Sequence, residues 1–252
     1  MTIDDYSLLV PPLLAGLIVL STHVPLGRQV LARGIIFIDL AVAQLAGLGV
    51  ILVHVVVDHP HGWEIQFAAF LAALTGSLGL RWAEKYWSDV LEALIGVIFV
   101  LSVTMAILLL ANDPHGAERL KDLLSGQLLW VTYDDLIVPL VLSLAILIMW
   151  FKGKAAANST IFYVLFALSV TTSVQLVGVY LVFASLIIPA LATRHIQGLS
   201  TGYVIGAIGY LFGLIWSFYS DLPTGPVVVW TMAAGALIFF LLGKFSHQHN
   251  HS

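Results

Sequence analysis

The sequence predicts an all-α protein, a polytopic bundle of about eight or nine transmembrane helices. Of its 252 residues, 60% are hydrophobic and only 10% are charged. A soluble domain carries about 25% charged residues, so this chain lacks the charge needed to cover a surface in water. Runs of about 20 apolar residues recur along its length, and each can cross a hydrocarbon core of about 30 Å as a helix. The apolar run 94–110 does not alternate as a membrane β-strand would.

Charged residues and Gly- or Pro-rich breaks divide the chain into nine predicted spans. The range 161–192 carries no charge and is too long for one crossing, so we expect it to form a hairpin that turns near residues 175–178. A single tilted, broken helix in this range would give eight spans instead. The predicted spans cover residues 8–26, 35–57, 65–80, 90–111, 136–151, 160–176, 178–193, 202–219 and 226–243.

Lys and Arg are distributed asymmetrically about these spans, which predicts an N-terminus outside and a cytoplasmic C-terminus. In this orientation 8 of the 10 basic residues face the cytoplasm, and the outer side collects most of the acidic residues. An outer face of this charge would attract cations. The basic residues assigned to the cytoplasm are Arg28, Arg33, Arg81, Lys85, Lys152, Lys154, Arg194 and Lys244.

We expect residues 1–252 to form one transmembrane domain that ends in a His-rich cytoplasmic tail, 244–252. The longest polar segment, 112–135, is placed outside, and its amphipathic part, 118–130, is expected to lie along or dip into the outer leaflet. The chain has no cysteine, which excludes disulfides and thiolate metal sites. A net charge of −4 provides no basic patch, so a nucleic-acid partner is not expected.

Asp39 is the first candidate for an ion path, because an acidic residue inside a span costs about 2.5–3.5 kcal/mol on insertion scales. It lies about one turn inside the second predicted span, with Gln44 deeper on the same helix. A separation of five places the two side chains about 140° apart, which allows a shared cavity. The alternative is that Asp39 lies near enough to the inner interface to pair with Arg33 or Arg28.

Two further candidates for the path are Glu92 and His54. Glu92 lies in the first turn of the fourth predicted span, where the helix dipole favours a carboxylate and the side chain can also extend towards water. His54 lies near the outer end of the second span, where it can be a metal ligand or simply lie among the headgroups. Oxygen and imidazole donors suit divalent first-row metals.

The remaining histidines form two groups, one at each predicted membrane face. Such groups are candidates for transient metal capture. The alternating tail histidines are also compatible with an ordinary chain end. The outer group consists of His59, His61 and His115, and the tail group of His247, His249 and His251.

Four blocks of sequence, residues 27–49, 124–135, 177–195 and 217–226, resemble the permease family of metal-specific ATP-binding-cassette importers. This is the zinc, manganese and iron class. The block 177–195 is the most specific, with its Gly-Val opening, Leu-Ile-Ile-Pro core and Ala-Thr-Arg exit. Together the four blocks extend over nearly the whole chain.

The resemblance implies a homodimer of permeases in a bacterial-type plasma (inner) membrane, two cytoplasmic ATPase subunits and an extracytoplasmic metal-binding protein. ATP would be bound and hydrolysed on the partner subunits, so this chain would be a transport subunit and not an enzyme, with no permanently bound cofactor. The range 192–200 would form the coupling segment that docks into the ATPase. Its expected coupling residues are Ala192, Thr193, Arg194, His195, Ile196 and Gln197.

The first block departs from the family pattern, in which one helix carries Asp and, four residues later, His. Aligned on Gly49, this chain has Leu40 and Gln44 at those positions, with Asp39 one residue early. The resemblance implies a divalent metal, with zinc as the first candidate and manganese or iron as alternatives. Because an amide oxygen is a weaker zinc ligand than imidazole, this departure leaves the choice among the three metals open. A secondary or passive carrier without an ATPase is the competing hypothesis. An intramembrane enzyme is not supported, because the sequence has no nucleophile–base pair.

Overall fold

The computed structural model describes residues 3–57, 59–152, 158–196 and 198–249, with side chains from residue 8 to residue 242 within these ranges. The described residues form α-helices and two short 3₁₀ turns, Ser88–Val90 and Leu128–Trp130, and contain no strand. This confirms the predicted fold class. The helices are α1 (Ile3–Arg33), α2 (Ile38–Val56), α3 (Gly62–Tyr86), α4 (Leu91–Leu110), α5 (Gly116–Ser125), α6 (Tyr133–Lys152), α7 (Ser159–Val177), α8 (Val179–Ala192), α9 (Ser200–Ser220) and α10 (Thr224–His249).

Eight of the described helices are long and apolar enough to cross a membrane, and α8 is a shorter apolar helix of 14 residues. Arg33 donates a hydrogen bond to Ser159 at the start of α7, and Arg28 donates one to Thr193 just after α8. Both ends of the α7–α8 pair therefore lie beside the C-terminal end of α1. The chain reverses between them at Gly178, which has a φ of +79°.

The two ends of the bundle carry opposite charge. The first, called the basic end, is where α1 ends and α2 begins. The opposite end, where α5 lies, is called the acidic end, and three neighbouring cavities there are lined by its carboxylates. This separation follows the predicted distribution of charge, and the side of the membrane that each end faces stays a prediction. The basic end contains Arg28, Arg33, Arg81 and Arg194; the acidic end contains Asp113, Asp122, Asp134, Asp135 and Asp221.

Glycines on α9 allow this helix to touch two neighbours at once. A Cβ built on Gly206 would lie 2.5 Å from Leu20 of α1, and one built on Gly213 would lie 2.6 Å from Val228 of α10. Such distances are too short for real side chains, so the backbone of α9 lies directly against the side chain of Leu20 and the backbone of Val228. Small residues at interfaces are how membrane helices associate, because lipid provides no hydrophobic force between them.

The α5 segment packs into the acidic end of the bundle. Gly126, which follows α5 with a φ of +69°, lies directly against the backbone of Gly178 at the α7–α8 turn. The carbonyl oxygen of Ser125 lies against Gly225 in the same way, and Leu128 is only 1% exposed. The segment predicted to lie along or dip into the outer leaflet therefore fills the space left above the short helix α8.

Candidate ion path and coupling turn

Asp39 is a wholly buried carboxylate at the start of α2. The helix begins at Ile38, after a turn in which Phe37 stacks on Phe183 of α8 with ring centroids 6.5 Å apart. Asp39 is 0% exposed, and neither of its carboxylate oxygens has a hydrogen-bond partner among the described residues. Its place in the first turn puts it near the positive end of the helix dipole, which stabilises a negative charge.

The ion pair considered for Asp39 in the sequence analysis is not formed. Arg33 instead donates to Glu84 at 3.1 Å and to the hydroxyl oxygen of Ser159 at 2.9 Å. Arg28 is bonded to backbone carbonyls of the turn after α8. Both arginines are thus engaged with other groups, and no cation in the described part of the chain is bonded to Asp39.

The other three candidates for the path lie at different depths. Gln44 is buried on α2, whereas Glu92 is exposed in the first turn of α4. His54 is exposed on α2, about 22 Å from Asp39 along the helix axis, and its Nδ1 lies 2.7 Å from the carbonyl oxygen of Val50. Within the described ranges, no three His, Cys, Asp or Glu residues come together in a group that could hold a metal ion.

His23 on α1 is a buried polar residue that the sequence analysis did not identify. It is 0% exposed, and its Nδ1 lies 2.9 Å from the carbonyl oxygen of Val19. Since a carbonyl only accepts, this contact requires Nδ1 to carry a proton, and in the neutral imidazole Nε2 then keeps its lone pair. Nε2 is buried and has no partner in the described structure. The sequence does carry a signal for it, since a histidine within the apolar run 8–26 is costly to bury. The sequence analysis considered this cost only for acidic residues.

The cavities at the acidic end connect His54 with polar residues of α5 and α7. One cavity of about 460 Å³ lies beside His54, and a second of about 400 Å³ lies beside α6. Gln127 and Gln175 line both, so the two cavities are neighbours around the loop after α5. The charged residues of the first are Asp113, Arg119 and Asp122, and those of the second are Asp134 and Asp135.

The predicted capture histidines lie at the surface or outside the described side chains. The His61 N–H donates to Glu64 at 2.7 Å and helps to cap α3, and the Nδ1 of His115 lies 3.7 Å from Glu118. His59, His61 and His115 are exposed and belong to no cluster of possible metal ligands in the described part of the chain. His247 and His249 lie on α10 but their side chains are not described, and His251 lies outside the described residues.

The predicted coupling residues form a turn with a buried anchor and an exposed face. Ala192 ends α8, and Thr193 is 1% exposed, with its hydroxyl donating to the carbonyl oxygen of Pro189 at 2.7 Å. Arg194 and His195 are exposed and bonded to each other, with Nε of Arg194 2.8 Å from Nε2 of His195. Ile196 is also exposed at 36%, whereas Gln197 lies outside the described residues.

These features define a multi-pass helical membrane protein with a buried carboxylate in a span and an exposed turn at the basic end. The chain belongs to the ABC 3 transport family, whose model matches residues 5–157 and 154–243. It is a permease subunit of the bacterial inner membrane, and ATP hydrolysis belongs to a separate chain. The family and the fold thus agree with the resemblance found in the sequence.

Relatives of known name match over most of their length. The chain is 27% identical to the "probable metal transport system membrane protein" of Chlamydia trachomatis, covering 96% of this chain and 90% of that protein. It is 23% identical to the "high-affinity zinc uptake system membrane protein ZnuB" of Haemophilus influenzae, covering 96% and 99%. A "probable iron transport system membrane protein" of the same organism is 26% identical, over 69% of this chain and 70% of that protein.

Among solved structures, PsaBC from Streptococcus pneumoniae in complex with Fab has the same fold. The TM-score is 0.76 at 20% sequence identity, and the match covers 95% of each chain. At this identity the similarity concerns the fold alone.

Proposed function

We propose that this chain is the membrane-spanning subunit of an ATP-driven importer of a divalent transition metal. The observation that carries the proposal is Asp39, a fully buried carboxylate on a membrane helix with no hydrogen-bond partner for either oxygen. The metal-related names of relatives that match most of the chain support the same class of cargo.

An unpaired carboxylate in the bundle is unfavourable by several kcal/mol when it is ionised. A passing divalent cation would supply the missing positive charge, and carboxylate oxygen is a ligand that zinc, manganese and iron accept. Because Asp39 is fully buried in the described conformation, it would meet the ion only when α2 and its neighbours separate. Gln44, buried on the same helix, would add a weaker oxygen donor.

Zinc is the first candidate for the cargo, with manganese and iron as competitors. The ZnuB relative, matched over 99% of its length, supports zinc, and the iron-related relative, matched over 70% of its length, supports iron. The oxygen donors of Asp39 and Gln44 do not discriminate among these metals. The choice therefore has to be made by measurement.

The partners follow from the two ends of the bundle. We place the acidic end outside, where its cavities would receive the ion from a metal-binding protein. The basic end faces the cytoplasm, where the exposed turn 193–196 would dock into the ATPase, and two copies of this chain would form the permease. The predicted single domain with a His-rich cytoplasmic tail is part of this proposal.

Uptake of radiolabelled zinc, manganese and iron into proteoliposomes tests the function. We expect ATP-dependent uptake only by the complete assembly of permease, ATPase and binding protein, and the preferred metal is the one that competes best. An assembly with an ATPase unable to hydrolyse ATP is the control. Uptake by the purified chain alone would contradict the proposal and favour a carrier.

The substitution Asp39→Asn tests the path within the same assembly. We expect uptake to fall at least about tenfold, since the amide lacks the charge that offsets the cation. The thermal stability of the chain should be unchanged or raised, because a buried unpaired charge is removed. Asp89→Asn, at an exposed carboxylate of the same end, is the matched control. Normal uptake by Asp39→Asn would exclude Asp39 from the path.

A further inference from the structure

We propose that Arg28 is a positioning residue that fastens the exposed turn 193–196 to α1, so that a movement of this turn is transmitted to α1. The inference rests on the proposed function, since the movement would come from an ATPase docked at the turn. It adds a specific mechanical link between two helices that are far apart in sequence.

The guanidinium of Arg28 holds both ends of the turn. Its Nη2 donates to the carbonyl oxygen of Thr193 at 3.1 Å and to that of Ile196 at 2.7 Å. The Thr193 carbonyl, at the C-cap of α8, also accepts the Ile196 N–H at 3.0 Å, so Arg28 binds a turn that is already closed by a backbone hydrogen bond. A charged donor makes stronger hydrogen bonds to such carbonyls than a neutral one. Because both acceptors are backbone atoms, the link fixes the path of the turn and not just a side chain.

The helices are already in backbone contact beside this link. A Cβ built on Gly27 would overlap the carbonyl oxygen of Leu186 and lie 3.3 Å from the Cβ of Ala190. The residue before Arg28 therefore lies against α8 itself. The close packing of Gly27 against α8 and the two charge-assisted hydrogen bonds of Arg28 leave the turn little freedom to move without α1.

The turn combines this fixed inner side with an exposed outer side. Thr193 is buried, whereas Arg194, His195 and Ile196 are exposed and available to a partner. Arg28 is bonded to Thr193 and Ile196 only through their carbonyls, so it engages none of these three exposed side chains. The turn 193–196 is therefore an attachment point whose position is set by α1.

The first test measures coupling in the complete assembly with the substitution Arg28→Met. We expect the ATPase still to co-purify and hydrolyse ATP, while the number of metal ions taken up per ATP falls roughly tenfold, because the turn loses both charge-assisted bonds to α1 and can move without it. Arg28→Lys should recover part of this ratio, because a lysine keeps one charged donor. Arg81→Met removes a basic residue from the same end without touching the turn and should leave the ratio unchanged.

The second test examines the link in the chain alone. The protein has no cysteine, so a pair of spin labels can be attached at two introduced cysteines. These are Ala32→Cys, at an exposed residue of α1, and His195→Cys, on the turn. We expect a narrow distribution of distances, which Arg28→Met should broaden. An unchanged distribution, or an unchanged ratio of ions to ATP, would overturn the inference. Failure of the unsubstituted assembly to couple uptake to ATP would contradict the proposed function instead, since the spin-label result does not depend on the ATPase.

Discussion

The basic and acidic ends of the bundle use their charged residues differently. At the basic end, Arg28 and Arg33 are each bonded to groups on other helices, so their charges connect α1 with α3, α7 and α8. At the acidic end, Asp122 and Asp134 line cavities. The comparison teaches that charge of one sign holds helices together at one end, whereas charge of the other sign faces open space where a cation could be received.

The largest effect on stability is expected at Gly126, which packs at the acidic end. We expect Gly126→Ala to destabilise the protein by at least about 3 kcal/mol, because its backbone conformation is nearly restricted to glycine and a Cβ would overlap Val177. Gly34 at the basic end also has a positive φ, of +71°, but no described residue lies within 4 Å of its Cβ position. Gly34→Ala should therefore cost only about 1–2 kcal/mol. Thermal unfolding in detergent measures both, and equal losses would contradict the close packing of the α5 segment.

The next effect concerns the bonds at the basic end. Arg33→Met should lower the free energy of unfolding by about 2–4 kcal/mol, because Glu84 and Ser159 lose their donor in a partly buried site. Arg81→Met should cost less than about 1 kcal/mol, since Arg81 lies 3.8 Å from Glu84 and is more exposed than Arg33. Thermal unfolding of the two variants checks the order. A larger loss of stability for Arg81→Met than for Arg33→Met would contradict a stabilising role for the link between α1, α3 and α7.

The smallest effect is expected in the cavities of the acidic end. Asp122→Asn should lower the initial rate of metal uptake at low metal concentration by about two- to threefold, because the attraction of cations to the cavity is reduced. The difference should shrink as salt is raised, since exposed charges are screened. Glu118→Gln, an exposed carboxylate of the same end that lines none of the three cavities described, is the control. Equal effects of the two substitutions would contradict a role for the cavities.

The sequence predicted the parts of the fold that depend on single segments. Long apolar runs gave the spans, and the positions of Lys and Arg predicted which helix ends carry basic residues. The range of α8 was also predicted to within one residue at each end, as 178–193 against Val179–Ala192. The contact between Gly126 and Gly178 was not predictable, because the two glycines are 52 positions apart and meet only when the helices pack. The partners of Arg28 were hidden for the same reason, since the acceptors are backbone carbonyls that have no sequence signature. Asp39 was identified by its cost in lipid, whereas its lack of a partner required the packing of the bundle.

The short helix α8 also sets how far the exposed turn 193–196 lies from the end of the bundle. Its 14 residues extend about 21 Å, whereas the 19 residues of α7, which ends at the same Gly178 turn, extend about 28 Å. The end of α8 therefore lies about 7 Å short of the start of α7, which agrees with the spacing of their partners Arg28 and Arg33 on α1. A protein that docks at this turn would have to reach about 7 Å further than one that docks at the start of α7.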